Sequence, residues 1–232
     1  GFRAQREIVQ QDWRPPVMRQ YDASEVARLF PDYAQGEQCL ILLVHEGPAS
    51  RVDAEILSVE SLMAELGLNP ADAAAAEGWM GHRNTVPEWR DLLEQGLIAD
   101  TIEVSATWSQ IDAIYDDVVA ALKTVPDCVN ASAHSSHVYR SGINLYFTFA
   151  CMPADTSVMG DRYLESWDRA LTATAEAGGG IAHHHGSGRL RRHYLHYDLG
   201  ENGLALLRKL KQAIDPQGIL NPGNLLPPAD AD

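Results

Sequence analysis

The stretch GINLYFTFA (142–150) places a phenol where it could move a proton. With a strand period of two, Ile143, Leu145, Phe147 and Phe149 point to one face, and Asn144, Tyr146 and Thr148 to the other. The first face is apolar enough to be core. Tyr146 therefore projects from a more polar face between small polar neighbours, where its hydroxyl can serve as proton donor or acceptor. An amphipathic tyrosine at a packing boundary produces the same periodicity.

A second candidate is IAHHHGSGRLRRHY (181–194). Nine histidines occur in the chain, and five lie between His183 and His196. In an extended segment His183 and His185 share a face and His184 points the other way. One strand cannot converge three consecutive imidazoles on a single ion, and a zinc site would need acidic or thiol ligands from elsewhere, so no metal is expected. The triplet is internal, which excludes an affinity tag. Acid/base or hydrogen-bonding use fits better, because imidazole titrates near neutral pH. The glycines of GSGRLRRHYLHYDL precede an arginine-rich helix start. Small residues and a helix N-terminus suit an anion, although a solvated basic helix looks the same. Arg83, in GWMGHRNT, sits in a Gly/His/Asn context rather than on a periodic helix.

The elements that must position these groups can be read from periodicity and punctuation. Residues 2–12 read as the end of a helix, stopped by Pro15-Pro16. VMRQYD (17–22) reads as a strand, followed by a short helix. CLILLVHE (39–46) is a continuous apolar run that suits a strand covered on both faces. Val52, Ile56, Val59, Met63 and Leu66 mark a helix, with Ser50 and Asp53 resembling a capping box. From Glu77 to Gly96 the chain reads as irregular and then helical. TIEVSA (101–106) alternates as a strand. Ser109 and Asp112 repeat the capping pattern before the stripe Ile111, Ile114, Tyr115, Val118 and Leu122. Strands over 129–139 and 142–151 form a hairpin turning at residues 140–142. A long helix over 155–177 ends at three glycines. This order predicts an α+β fold, with a mainly antiparallel sheet and helices on one face, followed by a short-helical C-terminal segment. The tail IDPQGILNPGNLLPP (214–228) carries two successive turns, too much turn chemistry for a dangling end, so it should dock.

Composition bounds the class. The 232 residues are 45% hydrophobic, enough for a sizeable core and too much for disorder. A net charge of −14 argues against nucleic acid as a partner. Six of the 18 basic residues nevertheless fall within 189–211, which keeps a local anion site in view. Cys39, Cys128 and Cys151 are odd in number and lie in apolar stretches, as for reduced, buried thiols in the cytoplasm. No apolar run is long enough for a transmembrane segment. The chain opens without Met and part-way through a helix, so its authentic N-terminus is expected upstream.

Together these features resemble the C-terminal half of FAD-linked oxidases of the vanillyl-alcohol oxidase type. The tail K-x-x-x-D-P-x-G-I-L-N-P-G-N-L, beginning at Lys211, is similar to that family's closing segment. HHHGSGRLRRHYL looks most like the alkylglycerone-phosphate synthases, as do REIVQQDWRPPVMRQYD and IEVSATWSQID. Relatives acting on D-lactate or glycolate carry H-x-x-G-D-G-N-x-H on a cap strand, and this chain has YRSGINLYF there instead. The resemblance implies residues 1–16 as the remnant of an upstream helix or linker, 17–180 as a substrate-binding cap, and 181–232 as a segment packing on an N-terminal FAD-binding domain outside this chain. It implies Tyr146 in proton transfer, His183, His184 and His185 lining the catalytic pocket, and Arg83 binding the substrate phosphate. His184, His185 and Asn221 would lie on the FAD side. In that family the flavin N5 forms an adduct with the dihydroxyacetone-phosphate moiety, the fatty acid leaves and a long-chain alcohol replaces it. The implied partners are a lipid-like phosphorylated substrate and a fatty alcohol, with homodimerisation left open and a cytoplasmic, membrane-peripheral location. An FAD-dependent oxidase or dehydrogenase of a 2-hydroxy acid or alcohol is the alternative on the same scaffold.

Overall fold

A computed structural model describes residues 1–226. Five strands form one antiparallel sheet in the order β2-β1-β4-β5-β3. They are β1 (Val17–Tyr21), β2 (Leu40–Val44), β3 (Ile98–Thr107), β4 (Cys128–Ser135) and β5 (Gly142–Cys151). The helices are α1 (Phe2–Gln10), α2 (Ala23–Leu29), α3 (Ala49–Glu65), α4 (Ala74–His82), α5 (Trp89–Glu94), α6 (Ile111–Lys123), α7 (Met159–Glu176) and α8 (Leu195–Ile214). The α+β class expected from the sequence is the observed one.

The period-two reading of β5 holds. Ile143, Leu145, Phe147 and Phe149 are buried with Ile102, Val104, Ile114, Val118, Leu122 and Leu171, so α6 and α7 cover this face of β3, β4 and β5. Met18 continues the same face at the other end, where Ile8 and Val9 of α1 meet Val59 and Leu62 of α3. Gln5 of α1 is fully buried and exchanges hydrogen bonds with Ser135. Burying side chains of this size stabilises by roughly 2 kcal/mol each, which makes this layer the main source of stability. The opposite face is covered by α4 over β2 and by α2 over β1 and β4, through Tyr21, Val26, Phe30, Leu42 and Ala75 and through Glu25, which reaches β4 and β5. Over β3 and the rest of β5 it is left to polar side chains and to the segment after α7.

Several local expectations need correction. The apolar run at 39–46 forms β2, an edge strand paired only with β1 and mostly half-buried, because hydrophobicity alone does not distinguish edge from centre. Cys39, expected buried, is exposed at its start. Neither proposed capping box forms. The N-cap of α3 is Pro48 and that of α6 is Gln110, both without a side-chain cap bond. The true side-chain cap is Asp22, which accepts the N–H of Glu25 at 2.8 Å. Residues 77–82, expected irregular, belong to α4, and the irregular stretch begins at Arg83. After α7 the expected short-helical segment is present: a 3-10 turn at Arg192–Tyr194 and then α8, which breaks at Gly200 into two shorter helices.

Candidate functional site

The site grows from one cross-strand row on the open face of the sheet. Tyr146 of β5 lies opposite Glu103 of β3 on one side and His134 of β4 on the other, and His134 lies opposite Tyr21 of β1. The His134 ring stacks on Tyr146 with centroids 4.9 Å apart and planes 6° apart, and it also stacks on Tyr21 at 5.3 Å. The stack is fastened from below by Glu25 of α2. Its fully buried carboxylate accepts from Thr148 Oγ1 at 2.6 Å and meets His134 Nδ1 at 2.9 Å. Burial pushes the Glu25 carboxyl up, but the hydrogen bond and charge of His134 outweigh it and hold it below the usual range.

The histidine triplet reaches this row because β3 stitches down the segment before it. Ser105 and Gly180 exchange backbone hydrogen bonds of 3.0 and 2.8 Å, and Ser105 Oγ donates to the carbonyl of Ala182. Glu103 Oε1 then accepts the peptide N–H of His185 at 2.9 Å. His183–His185 turn rather than run extended, so the alternation expected from an extended strand does not apply. His184 Nε2 and His185 Nε2 both contact Tyr146 Oη, at 2.6 and 3.0 Å, and His183 Nδ1 meets His184 Nδ1 at 2.9 Å. The four side chains read from the sequence as one site are thus linked in one chain of contacts.

His137, from the turn after β4, joins them. Its ring nitrogen and those of His183 and His184 lie within 4.8 Å of one another. The fold therefore brings these imidazoles together by a route that spacing does not reveal. Among the described residues no thiol or carboxylate joins that trio, and His183 Nδ1 lies within hydrogen-bond distance of His184 Nδ1. Asn144, fully buried, shapes the turn by accepting the N–H groups of Ser136 and His137.

Burial, with the charge of Glu103 second, pushes the Tyr146 phenol up. Burial likewise lowers His137, His183 and His185, with Glu103 opposing it. The phenol of Tyr146 and the imidazoles of His137, His183 and His185 are thereby biased towards their uncharged forms, able both to donate and to accept. This set fits the edge of an uncharged heteroaromatic ring such as a flavin.

Besides Glu25, two further buried charges escaped the sequence reading. Glu103 is 0% exposed and lies within a strand whose alternation gives no sign of it. Arg191 is 4% exposed and lies 3.5 Å from Glu103 Oε1, donates to the carbonyls of Glu103 and Gly186, and stacks on Trp167. The expected anion cradle therefore spends its central arginine on an internal carboxylate and two carbonyls. Arg83 caps α4, exposed, with its guanidinium 5.6 Å from the Trp79 ring and no contact to the triplet. The same ring carries Arg19 of β1 at 5.3 Å, and Arg19 Nε is buried without a partner. Arg19 shares the Tyr21 face, and its charge lowers Tyr146 and His137.

Asn221 is exposed with φ +46° in the tail, away from the triplet's hydrogen bonds. The tail docks on the segment after the triplet. Arg192 donates to the carbonyl of Gly223, the N–H of Leu225 bonds the carbonyl of Gly188, and Asp215 accepts the N–H groups of Ile219 and Leu220. Residues 227 and 228 of the tail motif lie outside the described residues.

Comparison with known proteins follows the same lines. The FAD-linked oxidoreductase YgcU of Escherichia coli (strain K12), itself uncharacterised, is 31% identical over 243 residues, covering 98% of this chain and 49% of that protein. The alkyldihydroxyacetonephosphate synthase of Dictyostelium discoideum is 27% identical over 196 residues, covering 82% of the chain and 32% of that protein. A solved alkyldihydroxyacetonephosphate synthase superposes with a TM-score of 0.63 at 22% identity, over 95% of this chain and 41% of the other, a likeness of fold. The chain thus spans about half the length of the relatives it matches, or less. The family model "FAD linked oxidases, C-terminal domain" matches residues 1–225, and the chain belongs to that family.

Proposed function

We propose that this chain is the substrate-side half of a flavoenzyme that exchanges the acyl group of an acyl-dihydroxyacetone phosphate for a long-chain alcohol, forming an ether-lipid precursor. The observation that carries the reading is the Tyr146 hydroxyl held between His184 Nε2 and His185 Nε2 at 2.6 and 3.0 Å. A phenol held between two imidazoles can give a proton to one ring and regain one from the other. FAD, when bound, supplies the activation of the substrate carbon. His184, His185 and the tail around Asn221 would hold the flavin side. Tyr146 moves the proton at the substrate's reacting carbon, and the imidazoles hold and return it.

A phosphate dianion needs cations, and the acidic chain offers two beside the row. Arg19 has an unpartnered buried Nε, and Arg83 flanks the same Trp79 ring. Their placement supports a phosphorylated substrate over a bare hydroxy acid. The second reading, oxidation of a 2-hydroxy acid or alcohol, is favoured by the likeness to YgcU, an FAD-linked oxidoreductase.

The test uses the full-length flavoprotein with acyl-dihydroxyacetone phosphate and a labelled fatty alcohol. Labelled ether should form, and Tyr146→Phe should lower its rate by about 100-fold or more, the scale of a lost proton carrier. Absence of ether, with bleaching of the flavin by a 2-hydroxy acid, would replace this reading with the second one.

A further inference from the structure

Four contacts follow one another across the open face of the sheet. His183 Nδ1 meets His184 Nδ1 at 2.9 Å, His184 Nε2 meets Tyr146 Oη at 2.6 Å, and Tyr146 Oη meets His185 Nε2 at 3.0 Å. The fourth, His185 Nδ1 to Glu103 Oε1, is 3.8 Å, an electrostatic contact rather than a hydrogen bond. Heavy-atom positions leave the direction of such a chain open, because each neutral imidazole has two tautomers.

One end decides it. Glu103 is fully buried, faces the Arg191 guanidinium, accepts the His185 peptide N–H on Oε1, and leaves Oε2 without a partner. A carboxylate paired with a guanidinium only accepts, so the ring nitrogen facing it is the one that carries hydrogen. His185 is then the Nδ1–H tautomer, and its bare Nε2 takes the Tyr146 O–H. A phenol has one proton to give, so His184 Nε2–H must donate to the same oxygen. That leaves His184 Nδ1 bare, and His183 Nδ1–H fills it.

We infer that Glu103 is a positioning residue that sets the direction of this hydrogen-bond chain, every donor pointing from His183 towards Glu103. The Tyr146 proton therefore leaves towards His185, and Tyr146 is resupplied from His184. Arg191 faces Glu103 at 3.5 Å and ties it to the Gly186 turn, so the charge pair and the triplet move as one unit. The use made of that proton rests on the proposed function. The direction itself is a property of the resting protein.

The direction can be read without substrate. The full-length protein would be labelled with 15N-histidine, its tautomers read from two-bond 1H–15N correlations, and signals assigned with His183→Gln, His184→Gln and His185→Gln. The expected tautomers are Nδ1–H for His183, Nε2–H for His184 and Nδ1–H for His185. A wild-type His185 carrying its hydrogen on Nε2 overturns the inference without any Glu103 variant. In Glu103→Gln the His185 population should move by about tenfold or more towards Nε2–H, since the charge facing Nδ1 is gone. Glu103→Asp, which keeps the charge, should retain Nδ1–H. An unchanged tautomer in folded Glu103→Gln overturns the role of Glu103, and if that variant does not fold, the wild-type and Glu103→Asp spectra decide. In turnover, Glu103→Gln should lower kcat with little change in KM. The predicted tautomers in a protein without ether-forming activity would remove the proposed function and leave the positioning role standing.

Discussion

Burial holds the imidazoles of His137, His183 and His185 below the usual histidine range and lifts the Tyr146 phenol above its own. For the histidines the folded chain binds fewer protons than the unfolded one once pH drops below about 6.5. Their contribution to stability is therefore complete above about pH 6.5 and is lost as pH falls towards their folded values. The urea midpoint should drop between about pH 7.5 and about pH 5, and the double variant His183→Gln/His185→Gln should flatten that slope. A slope identical in the double variant would show that burial does not perturb these two rings. At this scale the sequence reading did best with Tyr146, because period two depends only on the backbone. It did worst with Glu103 and Arg191, because a buried ion pair joins residues 88 positions apart and neither partner looks unusual alone.

Among the elements, the β4–β5 hairpin and β3 do the positioning, since together they supply Tyr146, His134, Glu103 and the Ser105 anchor. Two substitutions separate packing from placement. Phe147 is fully buried under α6 and α7, and Phe147→Ala should cost about 3–5 kcal/mol in urea unfolding by opening a cavity. Gly142 starts β5 where a Cβ would stand 2.1 Å from the backbone carbonyl oxygen of Ala106, so Gly142→Ala must push β3 away from the hairpin. A loss of about 1–3 kcal/mol is expected, with faster amide exchange along β3; unchanged exchange there would mean that the strands tolerate the side chain. Helix stripes and the hairpin turn were legible because their signals are local. The misplaced capping boxes were not, because Ser50 and Asp53 satisfy the spacing while the backbone starts the helix two residues earlier, with Pro48 as N-cap. Likewise β2 reads as a central strand by hydrophobicity, and only its pairing reveals the edge.

For the molecule as a whole, the described residues leave Leu199, Leu206, Leu210 and Ile214 of α8 exposed beside Ile219 and Leu220 of the tail. No helix is long and apolar enough to cross a membrane. His137, His184, His185 and Asn221 are exposed, and the relatives are about twice as long as this chain or longer. We therefore expect the 232-residue chain expressed alone to purify without stoichiometric flavin absorbance and to bind a hydrophobic dye, whereas the full-length protein carries FAD. A yellow isolated chain would mean that this half suffices for the cofactor. The sequence by itself determined the α+β class, the polar placement of Tyr146, the docking of the tail and the family, because each rests on local periodicity, turn chemistry or a contiguous motif. Only the tertiary structure decided that the triplet turns back onto Tyr146, that His134 and His137 join it, and that Glu103 and Arg191 anchor it. Those contacts span 12 to 88 residues of chain, and they exist only once β3, β4 and β5 lie side by side and fix the distances between groups that no sequence spacing relates.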